Sequence, residues 1–387
     1  MKKILFVIRS LEFGGAEKSL VNLLHELPEG ACEVDLLLFK KRGDFLAQVP
    51  RWVRILEIPE ALERLFAPPR KAGRYMPVKL IGTACAKLFR KTRKQRMAFR
   101  WRHFYKKVIP KLSGSYDAAV AYVGTEVLYY VADCVQAKKK YVWIHNDYRT
   151  ASYSKEDDLP YLEKMEGIVS VSPDCVEVLR QEFPQFANKL HYLQNITSSA
   201  VVKSLADSFL PEEYTKTCNI LSVGRLSRQK GFDLAIEACA ILKQQKVDFC
   251  WYVIGTGDQE EKLKELIARY DVADCFRLLG TRSNPYPYMK HCTFLAQPSR
   301  FEGKSVVLDE AKILATPILA TAYPTVADQI QDGLEGHIVD MTPEDIARGV
   351  TEMISNPAMV ENIRQYLSAG EYGNQQEAEK YRKLMEI

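Results

Sequence analysis

The sequence predicts an α/β protein built from two Rossmann-like, doubly wound domains. Three observations carry that prediction. The chain has 387 residues, more than a single hydrophobic core usually organises. Short apolar runs of the kind that form buried parallel strands alternate with longer helical patterns, and the alternation occurs twice. Between the two series, residues 197–216 hold "TSSA" and Pro211 with little strand character, which reads as a linker. The division read from this is 1–196, a linker at 197–216, then 217–371, with the closing helix 372–387 expected to join the first domain.

"KKILFVI" is a short continuous apolar run and reads as the first strand. Gly14 and Gly15 open a helix with apolar residues at Leu20, Leu23, Leu24 and Leu27. "CEVDLLLF" and "RILEI" are the next strands. "YDAAVAYV", the helix "TEVLYYVADCV" and the strand "KKKYVWIHND" continue the rhythm. "EGIVSVSPDCVEVLRQEF" is strand, turn and helix, with Ser172 or Pro173 near the helix start. "KLHYLQNI" completes the first series. The second begins with the strand "CNILSVGRL" and the helix "KGFDLAIEACAILKQQ". "FCWYVIGTG", "CFRLLG", "CTFLAQPS", "PILAT" and "EGHIVD" are strands; "DQEEKLKELIARYDV" and "TPEDIARGVTEMI" are helices, and "EAEKYRKLMEI" closes the chain.

Composition narrows the class. At 47% hydrophobic and 27% charged residues the chain is globular rather than disordered. In "MKKILFVIRS" the apolar core runs only from Ile4 to Ile8 before Arg9; a secretory core needs about 7–15 apolar residues, so export is not expected. No run approaches the ~20 apolar residues of a membrane-spanning helix. The nine cysteines are scattered, odd in number and without a CxxC pair, which predicts free thiols in a reducing cytoplasm. There is no DxD, and "HND" (145–147) offers at most two ligands, so no metal site is expected.

The net charge of +5 hides an asymmetry. From Arg64 to Ser115 there are sixteen Lys or Arg and no Asp or Glu, leaving −11 for the remainder. Within it, residues 87–111 place Met97, Trp101, Phe104, Tyr105 and Val108 at helical spacing among cations. A basic amphipathic helix of this kind reads as a binder of anionic membrane surfaces. Its cations are Lys87, Arg90, Lys91, Arg93, Lys94, Arg96, Arg100, Arg102, Lys106 and Lys107, with Trp101 as an interfacial anchor. Packing of these aromatics into a core is the first alternative. Nucleic acid is disfavoured because no nucleic-acid motif accompanies the charge.

Four segments could carry chemistry. "VGRLSRQKGFD" (223–233) leads from a strand through Arg225 and Lys230 into a helix, and backbone donors with two cations suit a diphosphate. "VIGTGDQE" (253–260), with Gly255, and "FGGAEKS" (13–19) make glycine turns before helices. Neither is the dinucleotide fingerprint. In "SRFEGKSVVLDEA" (299–311), Gly303 keeps Glu302 in a loop and Ser305 is the expected N-cap. Glu310 then falls on the second helical turn. Lys304 and the N–H groups of 304–306 would face a bound ligand. The plain alternatives are a solvated loop and a capped amphipathic helix.

"GGAEKSLVNL", "WIHND", "SVGRLSRQKGFDLAIEA", "YVIGTGDQEEKLKELI", "FRLLGTR" and "PSRFEGKSVVLDEAKILATPILAT" together resemble the retaining glycosyltransferases of family 4. That resemblance spans nearly the whole chain. It implies the GT-B fold, two Rossmann-like domains facing across a cleft, with acceptor bound by the first and nucleotide sugar by the second. Arg225 and Lys230 would hold the donor diphosphate. Glu302 would contact hydroxyls of the transferred sugar, and Gly303, Lys304 and Ser305 would face sugar and phosphate through their backbone. Glu310 would bind the ribose. Gly14, Gly15 and Gly255 would allow close approach, and Thr281, Arg282 and Asn284 would lie near the base. His145 would sit near the sugar or acceptor. Two places depart from the family pattern: Lys304, and "TAYPTVADQIQDGLEG", where Asp328 or Gln329 stands in the region of a usual glutamate.

The expected activity is metal-independent transfer of a hexose or N-acetylhexosamine, with retention. The donor would be a nucleotide diphosphate sugar, UDP-linked, and no cofactor is implied. The acceptor would be lipid-linked or a glycan, in cell-surface polysaccharide synthesis at the inner face of the cell membrane. The rival classes are a sugar-nucleotide epimerase of the same fold and a non-enzymatic nucleotide-sugar-binding partner.

Overall fold

The computed structural model describes residues 1–12, 14–43, 45–149, 153–302 and 305–387. The chain forms two compact units: Met1–Ile196 with Gln375–Ile387, and Thr197–Asn374.

The first unit is a seven-stranded parallel sheet. Its strands are β1 (Lys2–Ile8), β2 (Cys32–Leu38), β3 (Arg54–Ile55), β4 (Tyr116–Ala121), β5 (Ala137–Ile144), β6 (Gly167–Ser170) and β7 (Leu190–Tyr192), in the order β3-β2-β1-β4-β5-β6-β7. "RILEI" contributes only two paired residues, Arg54 and Ile55. The helices are α1 (Gly15–Glu26), α2 (Glu60–Phe66), α3 (Met76–Phe89), α4 (Arg93–His103), α5 (Glu126–Cys134), α6 (Lys155–Leu162) and α7 (Pro173–Glu182). Alternate residues of β1 feed opposite cores, as strand geometry requires. Leu5 and Val7 pack with α5, whereas Ile4, Phe6 and Ile8 pack with Leu20, Leu23 and Leu24 of α1.

The segment 87–111 is not one helix. Phe89 ends α3, and Thr92 with Gln95 forms a reciprocal capping box that starts α4, so the chain stops and restarts. Its aromatics do not face outward. Trp101 is fully buried, Tyr105 is 1% exposed, and Met97, Phe104 and Val108 pack against the same core. The Trp101 indole N–H donates to Asp133 at 3.1 Å. The expected membrane anchor is a core residue, because a large apolar ring at the inner stripe of α4 lowers the free energy most by leaving water. Of the cations, Lys87, Lys91, Arg93, Lys106 and Lys107 are exposed. Arg90, Lys94, Arg96, Arg100 and Arg102 are half-buried. Arg96 donates to the Arg90 carbonyl at 3.0 Å, Lys94 caps the Tyr153 ring at 3.3 Å, and Arg102 reaches the Asp157 carbonyl at 3.3 Å.

The second unit begins earlier than the sequence suggests. Within 197–216 lies α8 (Ser199–Ala206), whose Val202 and Ala206 are in a core cluster of this unit. The six parallel strands are β8 (Cys218–Val223), β9 (Phe249–Ile254), β10 (Phe276–Gly280), β11 (Phe294–Gln297), β12 (Ile318–Thr321) and β13 (Gly336–Val339). Their order is β10-β9-β8-β11-β12-β13. The helices are α9 (Phe232–Gln244), α10 (Glu260–Arg269), α11 (Tyr286–His291), α12 (Val306–Ile313), α13 (Pro343–Ser355) and α14 (Pro357–Ala369). One face of the sheet packs on α9 and α13 and the other on α8, α11 and α12. The chain then returns to the first unit as α15 (Ala378–Met385), which buries Ala378, Tyr381 and Met385 at helical spacing. Among the described residues no helix is long and apolar enough to cross a membrane. All nine cysteines are unpaired.

Candidate active site

Each sheet has one place where its strand order reverses: between β1 and β4 in the first unit, and between β8 and β11 in the second. In open parallel sheets, ligands bind beyond the carboxyl ends of the strands at such points. In the second unit the loops after β8 and β11 carry Arg225, Lys230 and Glu302.

Two glycines let neighbouring loops touch, Gly231 those after β8 and β11 and Gly255 those after β8 and β9. Gly231 has φ +65°, and a Cβ there would lie 1.9 Å from the Pro298 carbonyl oxygen. Gly255 has φ +151°, and a Cβ would lie 1.9 Å from the Gly224 carbonyl oxygen. Any other residue would need both an unfavourable backbone region and the removal of that contact. The loops are then sewn together. The Arg300 N–H donates to the Gln229 carbonyl at 2.8 Å, and the Gln229 amide to the Phe301 carbonyl at 2.9 Å. The Arg300 guanidinium holds both oxygens of Asp233, at 2.7 and 2.9 Å.

This scaffold brings Lys230 and Glu302 into an ion pair, Nζ to Oε1, at 2.7 Å. Ser299 Oγ donates to the same oxygen at 2.7 Å, and Gln229 Nε2 to Oε2 at 3.3 Å. Thr325 Oγ1 fixes the Glu302 carbonyl at 2.9 Å. The lysine side chain is 16% exposed and the glutamate 7%, so the pair is shielded but the ammonium remains reachable. Arg225, by contrast, is exposed, and its guanidinium makes no hydrogen bond or ion pair among the described residues. One cation is thus held by a carboxylate and one stands open at the same strand end.

Glu310 is 1% exposed on the second turn of α12, and the Tyr286 hydroxyl donates to its Oε1 at 3.2 Å. A buried carboxylate is tolerable only with such donors. Ser305 sits at the N-cap position, but its hydroxyl makes no cap; it donates to Gln297 Oε1 at 2.8 Å. Its N–H is also committed, to Gln329 Oε1 at 2.8 Å, while Gln329 Nε2 donates back to the Ser305 carbonyl at 3.1 Å. The expectation that the Ser305 N–H faces phosphate is therefore corrected: the buried Gln329 side chain satisfies it. Asp328 is exposed beside it. Gly303 and Lys304 lie outside the described residues.

The residues expected near a base are largely engaged elsewhere. Arg282 spends its nitrogens on Tyr288 Oη, the Leu279 carbonyl and Glu213, at 3.2, 2.6 and 3.2 Å. Asn284 ties β10's exit to α8 through the Leu205 carbonyl and Ser208, at 2.8 and 2.9 Å. Both are structural in this arrangement. Thr281 alone of the three is exposed.

In the first unit, Gly14 is the extended N-cap of α1, and around Gly15 nothing lies within 4 Å of a would-be Cβ. Arg9, after β1, reaches Glu126, after β4, at 3.0 Å across the strand-order reversal. Thr125 beside it has φ 78°, an uncommon region for a β-branched residue. His145 follows β5. Its Nε2 lies 2.8 Å from the Tyr122 carbonyl, so Nε2 carries the proton. Burial pushes its pKa down to about 4, leaving a neutral ring at pH 7. Its Nδ1 is buried, and the Asn195 side chain lies beside the ring.

Sequence reasoning missed Ser299, Gln229, Thr325 and Tyr286. Gln229 and Ser299 flank recognised motif residues, but nothing in spacing alone says that both point at Glu302. Tyr286 lies 24 residues from Glu310, a pairing only the sheet topology creates.

Residues 206–369 match the model of a family described as glycosyl transferases group 1, a stretch that lies inside the second unit. Among curated proteins the chain is similar to the amylovoran biosynthesis glycosyltransferase AmsK of Erwinia amylovora. The two are 30% identical over 41% of this chain and 40% of that protein. It is also similar to the N-acetylgalactosamine-N,N'-diacetylbacillosaminyl-diphospho-undecaprenol 4-alpha-N-acetylgalactosaminyltransferase of Campylobacter jejuni, at 32% over 43% of this chain and 44% of that protein. The chain thus spans less than half the length of these two relatives. Among solved structures, Anabaena HepE in complex with UDP-glucose aligns with TM-score 0.61 and 16% identity, over 99% of this chain and 100% of that one. S. aureus TarM, solved with UDP, aligns with TM-score 0.63 and 13% identity over 100% of each chain. At such identities the likeness shows the fold. The two units are Rossmann-like α/β domains of the GT-B class, and the second matches the group 1 glycosyl transferase model.

Proposed function

We propose that this chain is a retaining, metal-independent glycosyltransferase. It moves a hexose or N-acetylhexosamine from a UDP-sugar to a lipid-linked or glycan acceptor, at the cytoplasmic face of a membrane, in cell-surface polysaccharide synthesis. The observation that carries the reading is the Lys230–Glu302 pair at the β8/β11 reversal, beside an open Arg225. The match of this unit to the glycosyl transferase model supports it. So do relatives named for amylovoran synthesis and for a diphospho-undecaprenol acceptor, and solved relatives that hold UDP or UDP-glucose.

In this reading Arg225 meets the donor diphosphate first. Lys230 then exchanges part of its contact with Glu302 for a phosphate oxygen, and Glu302 turns free lone pairs to sugar hydroxyls. Glu310 accepts from the ribose hydroxyls while keeping its hydrogen bond from Tyr286. The sugar–phosphate C–O bond breaks, the acceptor oxygen bonds the same face of the anomeric carbon, and its proton passes to the departing phosphate oxygen. The protein's work is positioning and stabilising charge on that phosphate. His145, neutral and with its Nε2–H held by the Tyr122 carbonyl, is not the base.

A panel of nucleotide sugars, assayed for transfer with EDTA present, tests this. Transfer to a lipid-linked acceptor that persists in EDTA is the expected result. Donor isomerisation without transfer would favour the epimerase, and a strict need for added metal would overturn the metal-independent mechanism. The two glutamates should separate. Glu310→Gln is expected to weaken UDP binding about tenfold. Glu302→Gln should leave UDP affinity within a few-fold and lower kcat by ~10². Titration calorimetry and steady-state kinetics check this; equal effects on both quantities in both variants would refute the division of roles.

A further inference from the structure

The stretch of chain between Glu302 and Glu310 is held from outside by the turn that follows β12. That turn is a single helical turn, Val326–Asp328. Thr325, just before it, donates from Oγ1 to the Glu302 carbonyl at 2.9 Å. Gln329, just after it, accepts the Ser305 N–H on Oε1 at 2.8 Å and donates from Nε2 to the Ser305 carbonyl at 3.1 Å. The two ends of one turn thus hold two points on either side of Gly303 and Lys304.

The turn is itself anchored. Val326 and Ile330 are buried, and the Val326 carbonyl accepts the Gln329 and Ile330 N–H groups at 3.0 and 2.9 Å. Tyr323, at the start of the connection, is buried and accepts from Gln297 Nε2 at 3.2 Å. The other end of that amide, Gln297 Oε1, takes the Ser305 hydroxyl at 2.8 Å. Every polar group of Ser305 therefore meets a buried glutamine.

Ser305 is where α12 begins, since its carbonyl accepts the Leu308 N–H at 3.2 Å. Fixing Ser305 fixes the start of the helix that carries Glu310. A serine hydroxyl capping its own helix would satisfy that helix alone; here the hydroxyl is turned away and the helix start is tied to β11 and to the turn after β12. The chemistry of the tie matters as well. An amide both donates and accepts without charge. A carboxylate at 329 could accept the Ser305 N–H but could not donate to the Ser305 carbonyl. It would also face Asp309, whose Oδ1 lies 3.4 Å from Gln329 Nε2, while Asp328 beside it is exposed to water.

We propose that Gln329 is a positioning residue for the donor nucleotide: through Ser305 it sets where α12 starts, and so where Glu310 meets the ribose. This rests on the donor-site reading above. Glu302, held at the other end of the turn by Thr325, is gauged against the same template, so the sugar and ribose contacts keep a fixed spacing.

The test titrates UDP into the full chain. Gln329→Glu should weaken UDP by about tenfold near pH ~8, and the gap to wild type should narrow toward pH ~6. The sign follows from the surroundings: burial and Asp309 favour the protonated form of the introduced carboxyl, and that form regains a donor for the Ser305 carbonyl. Taking the ratio to wild type at each pH removes the titration of UDP's own phosphate. Gln329→Met, which brings no charge, should weaken UDP by about tenfold at every pH. Added to Glu310→Gln it should cost less than about threefold more, because both changes act on one contact. A residue that merely stabilised the fold would give losses that add. Equal UDP affinity in wild type and Gln329→Glu near pH ~8, a gap that does not narrow with pH, or additive losses in the double variant would each overturn the inference; the Met variant decides if the charged one does not fold. Wild type that fails to bind UDP removes the donor reading and this inference with it, whereas UDP binding that is indifferent to residue 329 removes this inference alone.

Discussion

Replacing Lys230 by alanine is expected to lower kcat/KM by ~10²–10³-fold without unfolding the second unit. The ammonium stands at the strand-order reversal, 2.7 Å from Glu302 and only 16% exposed, where a charge acts through less water than at the surface. On the proposed mechanism, its loss removes the stabilisation of a departing phosphate. The fold should survive because Glu302 keeps two donors, Ser299 and Gln229, and the loops keep the Arg300–Asp233 fork. Kinetics and a thermal melt on the same preparation check both halves. Turnover within a few-fold of wild type would remove Lys230 from the reaction.

Trp101→Ala should destabilise the protein by ~3–5 kcal/mol. The ring is fully buried, edge-on to Tyr130 at 6.3 Å between centroids, and truncation leaves a cavity among aromatics that cannot collapse into it. Asp133 would keep its ion pair with Lys164 at 2.6 Å, so the loss is mainly one of packing. Urea denaturation measures it. A tryptophan that served lipid binding would instead tolerate the change within about 0.5 kcal/mol, as surface positions do.

These two residues mark what the sequence could and could not show. Lys230 is legible because a strand, a cation pair and a glycine occur within a few positions, and parallel-sheet geometry puts such loops at the ligand edge. The strand–helix rhythm is legible for the same reason: buried parallel strands such as Lys2–Ile8 and Phe249–Ile254 are continuous apolar runs. Trp101 was misread because an amphipathic helix has the same periodicity whether its apolar stripe meets a core or a membrane. Only the partner distinguishes them. The break at Thr92 was hidden inside a dense run of cations that looks helical throughout. Ser305 looked like a helix cap, yet its hydroxyl and amide are taken by Gln297 and Gln329, the latter 24 residues away. Partners at such separations are set by which strands are neighbours, and local spacing carries no record of that.

The return of the chain to its first unit has a consequence for biosynthesis. The sheet of that unit is complete by Tyr192, but one of its faces lacks Tyr381, which stacks on Trp143 at 5.7 Å and donates to the Gln194 carbonyl at 2.9 Å. Between these parts the ribosome must make all of Thr197–Asn374, roughly 10–35 s of synthesis at typical rates. During that interval Trp143 lacks its covering ring. The first unit therefore waits as an incomplete nascent domain while the second, continuous in sequence, is free to fold alone. Chaperone engagement should concentrate in that window, on the exposed aromatic face rather than on the growing second domain.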